Sequence, residues 1–297
     1  MTTDATTDAN GRPTAPASRV PRRLALGALL VIVVGWSLTG LDVTIDRLLG
    51  APGDAWDIFR RMFPPAFREA SERGVVGKVF ESVHIAWIGT LIGALFSLPL
   101  AFLAAGNVAP AWVRIPVRQL FNVIRAVPEL ILAVILIPVT GLGPWAGALA
   151  IGVHSIGTLG KWATEAIEGI DDGPLEAVAA TGGRWASEMR WGVLPQILPV
   201  VTSQWLFRFE INVRASAVLG MIGAGGVGSE LVSQLVFRNF PAVGAVLLMT
   251  IVVVLTIDTV SAAVRRRIIR GGGRTPGTVT DGDRNAAALA DLTGIRR

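Results

Sequence analysis

The sequence predicts an all-α membrane protein of about six transmembrane helices, on three observations. Apolar residues make up 52% of the 297, and the mean hydropathy is +0.56. These residues come in long unbroken runs, not in the alternating or one-faced patterns of soluble domains. The arginines cluster just beside those runs, as expected where basic side chains fix orientation across a bilayer.

Composition also excludes whole classes of chemistry. With no cysteine in the chain, a disulfide framework, a thiolate metal site and a cysteine nucleophile are all ruled out. The two histidines, His84 and His154, fall inside apolar segments, where packed neutral rings are expected; no metal site and no catalytic residue is predicted. The net charge of +5 rests on arginine, since Lys78 and Lys161 are the only lysines, and its distribution reads as membrane topology, not as nucleic-acid binding.

Taken in order, residues 1–23 read as a disordered cytoplasmic tail, too polar for a signal peptide. Residues 24–41 form a first uncharged span close to the roughly 20 residues a bilayer demands, with Arg19, Arg22 and Arg23 placing its start in the cytoplasm. Residues 42–78 are an extracytoplasmic segment in which 55–67 form an interfacial amphipathic helix rich in aromatic residues and arginine. This loop carries six basic residues against the orientation rule, and six acidic ones that bring it to neutrality.

Further spans are expected over residues 79–105, 120–139, 145–165, 196 to about 218, and 241–264. Arg114 and Arg118 mark a cytoplasmic loop, and Arg265, Arg266, Arg267 and Arg270 a cytoplasmic stop. Residues 271–297 form a second disordered tail.

Between the fourth and fifth spans lies a polar stretch, EAVAATGGRWASEMRWGVLP, at residues 176–195. Asp171 and Asp172 can cap a helix beginning near Pro174, because proline suits the first helical turn. Gly182 ends it, being the residue type that takes a left-handed conformation most easily. A second short helix over residues 184–194 follows before Pro195 opens the next span. The result is a two-helix knob on the cytoplasmic side.

The spacing in this knob resembles the coupling loop of importer permeases of ATP-binding-cassette systems. Glu176 and Ala177 are followed by Gly182 and then by Leu194 and Pro195; the family pattern has alanine where Val178 stands and isoleucine where Gly192 stands. RAVPEL at 125–130, the run from 141 to 171, LPQILP at 194–199, FRFEINVRAS at 207–216 and GMIGAGGVG at 220–228 look like the phosphonate-type permease in particular. The resemblance covers residues 60–270 and makes 79–270 a permease core of the type I importer fold, with the coupling loop at 171–195.

What it implies is a multi-pass plasma-membrane subunit of a prokaryote, with both termini cytoplasmic. It would work as a homodimer with two copies of a cytoplasmic ATP-binding subunit and an extracytoplasmic substrate-binding protein. ATP and magnesium would be bound by that partner ATPase, leaving this chain without a cofactor and without its own enzymatic step. The expected cargo is phosphonate or a related phosphorus oxyanion, with phosphite, phosphate or another small solute such as an amino acid as alternatives. A stand-alone channel or membrane enzyme is the rival from another class.

The fifth span carries Arg208, Glu210, Asn212 and Arg214, which cannot face lipid when each central charge costs at least about 2.5–3.5 kcal/mol. They are candidates for the translocation pathway, since a guanidinium matches two oxygens of an oxyanion. The alternative is an ion-pair network that holds the bundle together, with Glu210 and Arg214 paired at i and i+4. Arg125 and Glu129 have the same spacing where the third span leaves the cytoplasm, and read as a structural interfacial pair, with contact to the passage or the ATPase as the alternative. Gly223, Gly225, Gly226 and Gly228 lack the Lys-Ser or Lys-Thr of a phosphate loop, and are candidates for a gate or for close helix packing.

Overall fold

The computed structural model describes the backbone of residues 20–39 and 45–272, and the side chains of 24–37 and 49–269. Most of both expected tails, and residues 40–44, lie outside that range. Helices are the only regular elements among the described residues. Two units divide near Arg60.

In the first unit, α1 (Val20–Thr39) contains the apolar stretch Leu24–Ser37, and α2 (Ile45–Arg61) is strongly amphipathic. Trp56 and Phe59 stack on α2 with ring centroids 5.7 Å apart, as an i, i+3 pair must if the segment is helical. The amphipathic helix thus covers residues 45–61 instead of the expected 55–67: it begins earlier and ends before Pro64 and Pro65, and Phe67 opens the next helix.

The second unit opens with α3 (Phe67–Glu72) and α4 (Val75–Ala104), the latter meeting α7 (Pro144–Glu168) along much of its length. Small residues set that contact. A Cβ on Gly93 would lie 2.5 Å from the Ser155 Cβ, and one on Gly89 2.6 Å from Ile151 Cγ2. In apolar surroundings there is no water to expel between helices, so close backbone approach and dispersion supply the attraction.

Residues 120–139 differ from the single span expected. They are split between α5 (Ala111–Ala126) and α6 (Glu129–Thr140), which meet at 89°. Val127 is extended, as a residue before proline prefers, and Pro128 is the N-cap of α6. The break cancels the i, i+4 relation of Arg125 and Glu129.

Next come α8 (Gly173–Ala180) and α9 (Trp185–Ser187), then a π-helical turn (Glu188–Val193) that runs on into α10 (Leu194–Gly220). The second knob helix is therefore no separate element ended by Pro195. Pro195, which has no N–H to give, sits where the π-turn passes into α10, so the bond it cannot make falls at the change of helix type.

The last described elements are α11 (Val227–Val236) and α12 (Phe240–Gly272), the latter carrying on through Arg265, Arg266 and Arg267 past the point where the span was expected to stop. By length and apolar character α4 and α12 each suffice to cross a bilayer, and α5 with α6 makes a third if counted as one bent span. At about 1.5 Å per residue, α7 and α10 with 25 and 27 residues are also long enough. Ser155 and Thr164 of α7 and Arg208, Glu210, Asn212 and Ser216 of α10 are buried within the bundle, while Lys161, Glu165, Glu168 and Arg214 are exposed.

Candidate functional site

Three groups of residues stand out. The first is the knob at one end of the bundle. Asp171 caps its first helix, the Asp171 Oδ1 accepting from the Gly173 N–H at 3.0 Å, while Asp172 at the N-cap makes no side-chain bond. The helix ends as expected: Gly182 has φ +77° and donates to Ala179 O at 2.9 Å, and Gly183 donates to Val178 O at 3.1 Å. Glu176 and Ala177 are exposed on the outer face of α8, and Pro195 is exposed while Leu194 is half-buried.

Both departures from the family pattern have local consequences. A Cβ on Gly192 would lie 3.1 Å from Leu175 Cδ1, so glycine there lets α8 lie against the π-turn through Leu175. Val178 in turn packs against Gly183. Gln196 ties the stretch shut: its Oε1 accepts from the Asp171 N–H at 2.9 Å, and its Nε2 donates to Asp171 O at 3.1 Å and Gly192 O at 2.8 Å. Sequence reasoning saw Gln196 only as the start of a span. A carboxamide can serve both strands of a loop at once, and that chemistry was the available signal.

The second group lies inside the bundle, where Arg208 is 5% exposed. Its Nε donates to Ser155 Oγ at 3.1 Å, and its Nη2 lies 3.3 Å from Glu129 Oε2 and 2.8 Å from His154 Nδ1. Asn212, fully buried, donates to Thr90 Oγ1 at 2.8 Å and Ser155 Oγ at 3.2 Å. Ser155 thus links Arg208 to Asn212, and four helices, α4, α6, α7 and α10, meet through polar contacts.

The expected Glu210 and Arg214 side-chain pair does not form. Glu210, 4% exposed, pairs with Arg265 of α12 at 3.0 Å, while Arg214 pairs with Asp258 of α12 at 3.5 Å and reaches Glu210 only through its backbone oxygen. Partners on another helix win because they offer α10 neutralisation together with packing against α12. Of the two histidines, His84 departs from expectation, being exposed on α4, while His154 is largely enclosed, with Glu129 Oε2, distant in sequence, 3.6 Å from its Nδ1. Glu129 was the residue most underrated in the sequence, although a carboxylate just after Val-Pro in an apolar run needs a cation from elsewhere.

The third group is the glycine-rich turn between α10 and α11. Its glycines pack on one another: a Cβ on Gly228 would lie 1.9 Å from Ala217 O, and one on Gly220 2.3 Å from Gly225 O. Gly223, Gly225 and Gly226 all have positive φ. The turn is held to α4 by the Gly226 N–H to Glu81 Oε1 at 3.2 Å and the Val227 N–H to Ser82 Oγ at 2.8 Å. Lys78 Nζ lies 2.8 Å from Glu81 Oε2 and completes the contact.

This arrangement has known relatives. The phosphate-import permease protein PhnE of Mycolicibacterium smegmatis is 41% identical over 216 residues, 71% of this chain and 40% of its own length, so the chain spans less than half of that relative. The phosphite transport system permease protein PtxC of Stutzerimonas stutzeri is 37% identical over 238 residues, 80% of this chain and 85% of its own. In architecture the chain resembles an inward-facing structure of the MetNI methionine transporter, with a TM-score of 0.59 at 23% identity, covering 65% of this chain and 95% of that one. A family model described as the inner membrane component of binding-protein-dependent transport systems matches residues 97–270. The protein belongs to that family, and is a membrane-spanning transport component with the helical fold of ATP-binding-cassette importer permeases.

Proposed function

We propose that this chain is the permease subunit of an ATP-driven importer for phosphonate or a related phosphorus oxyanion such as phosphite or phosphate. The observation that carries the driving mechanism is the knob at residues 171–195. It is closed by Gln196, turned at a left-handed Gly182, and leaves Glu176 and Ala177 exposed. The phosphorus cargo follows from the relatives, whose names assign them phosphate and phosphite.

In this reading two copies of the chain pair around the passage. A separate ATPase binds ATP and magnesium and seats each knob through Glu176, Ala177, Gly182, Leu194 and Pro195. A binding protein delivers the oxyanion at the opposite end, near the turn of Gly223, Gly225, Gly226 and Gly228, which closes the passage there. In this reading both termini and the knob lie in the cytoplasm, which the arginines at 19–23, 114–118 and 265–270 support. Closure of the ATPases moves the knobs, and α10, continuous with the knob through the π-turn, carries the motion into the bundle. Arg208, Glu210 and Asn212 act first as the polar seam that holds α10 to its neighbours, and Arg214 with Asp258 as a half-exposed pair at its edge.

The reading is tested by purifying the tagged chain with its membrane and identifying what accompanies it. An ATPase and a binding protein that retains a phosphorus oxyanion are expected. Recovery of the chain alone, conducting solutes without ATP, favours the stand-alone channel.

A further inference from the structure

Among the arginines that pair with α10 or belong to it, Arg208 is neutralised in a distinctive way. Arg265 and Arg214 pair along α10 and α12, two long unbroken helices. Arg208 pairs with a carboxylate at the first residue of α6, a 12-residue helix that begins just after an 89° break. The contact is loose. A charge-assisted bond is ordinarily about 2.7–2.9 Å, whereas Glu129 Oε2 is 3.3 Å from Arg208 Nη2 and 3.6 Å from His154 Nδ1. Arg214 and Asp258 are as loose at 3.5 Å, but Arg214 is exposed and both sit on long helices.

Access to Arg208 follows from exposure. Its side chain is 6% exposed and is backed by Ser155 at Nε, while His154 and Glu129 in front of it are 17% and 29% exposed. An anion approaching this guanidinium arrives where the Glu129 carboxylate now sits.

We infer that Glu129 is a built-in stand-in for the transported anion, and that a tetrahedral oxyanion takes its place at Arg208, releasing α6. This rests on the reading that the chain conducts an oxyanion. A phosphorus oxyanion competes with the carboxylate for a chemical reason. Its oxygens accept from Arg208, and as the Arg208 N–H turns from His154 Nδ1, now 2.8 Å away, to the anion, a monoanion's P–OH donates to the lone pair set free, which a carboxylate cannot do. Sulfate has the charge and shape but no O–H, so it takes the site less well. Exchange also couples occupancy to structure, because the ligand removes the ion pair that holds α6 to α10.

The test is equilibrium binding of radiolabelled phosphite to the full-length chain in lipid nanodiscs, with sulfate as competitor. Removing the internal rival in Glu129→Gln is expected to tighten phosphite binding at least tenfold, and adding Arg208→Gln to abolish the gain. A well-folded Glu129→Gln that binds no more tightly than wild type overturns the exchange and leaves Glu129 a structural partner. If that variant aggregates, Glu129→Asp, with its carboxylate withdrawn by one methylene, gives the same readout: tighter binding supports the exchange and unchanged binding overturns it. Sulfate binding as tightly as phosphite to the Gln variant upholds the exchange and refutes the phosphorus reading instead, so the two failures are distinguishable.

Discussion

Arg208 and Glu129 lie 79 residues apart in sequence, and their side chains meet inside the bundle with Nη2 3.3 Å from Oε2. This pair joins α10, the helix that carries the knob, to α6, the helix beyond the break. Its energetics are therefore the first thing to measure.

Removing one partner of a buried pair leaves an uncompensated charge, which typically costs about 3–5 kcal/mol. Glu129 is part-exposed, so Glu129→Gln should fall below that range and Arg208→Met should cost more than Arg208→Met combined with Glu129→Gln. A double-mutant cycle on thermal unfolding of the purified chain measures the coupling, expected at about 0.5–3 kcal/mol. Additive effects would show that the two side chains do not act as a pair.

The contact of α4 with α7 depends on Gly93, where any Cβ meets Ser155 at 2.5 Å. Gly93→Val should lower stability by about 1–3 kcal/mol, or more if the helices cannot separate. The expected result is a lower melting temperature with unchanged helical content by circular dichroism. An unaltered melting curve would mean that the helices are not in contact at this glycine.

Gln196 holds both ends of the knob with three hydrogen bonds. Gln196→Leu keeps the side chain's bulk and removes all three, each worth about 0.5–1.5 kcal/mol. It should leave insertion and overall fold intact while residues 171–192 become more accessible to limited proteolysis. Wild-type protection in that variant would place the tie elsewhere.

How much of this was readable in advance depended on whether the cause was local. Gly182 was legible because a helix ending at a glycine is a matter of one residue's φ, and the value of +77° agrees. The Asp171 cap was legible for the same reason, since donor and acceptor are two residues apart. The break at Pro128 was within reach too, yet a run of apolar residues on both sides outweighed it. The partners of Arg208, Glu210 and Arg214 were out of reach. An i, i+4 rule ranks only neighbours on one helix, and what won was tertiary: Glu129, Arg265 and Asp258 come from other helices. Likewise Gly192 reads as a flaw in a motif until Leu175 is seen filling the space.

The account's central claim, that the exposed face of α8 receives the driving force, is tested most directly by Glu176→Lys. The full transporter, with its ATPase and binding protein, is reconstituted into proteoliposomes and ATP-dependent phosphite uptake is measured. The account predicts that uptake falls to background while the variant permease inserts and melts like wild type. Uptake at the wild-type rate from such a folded variant would contradict it.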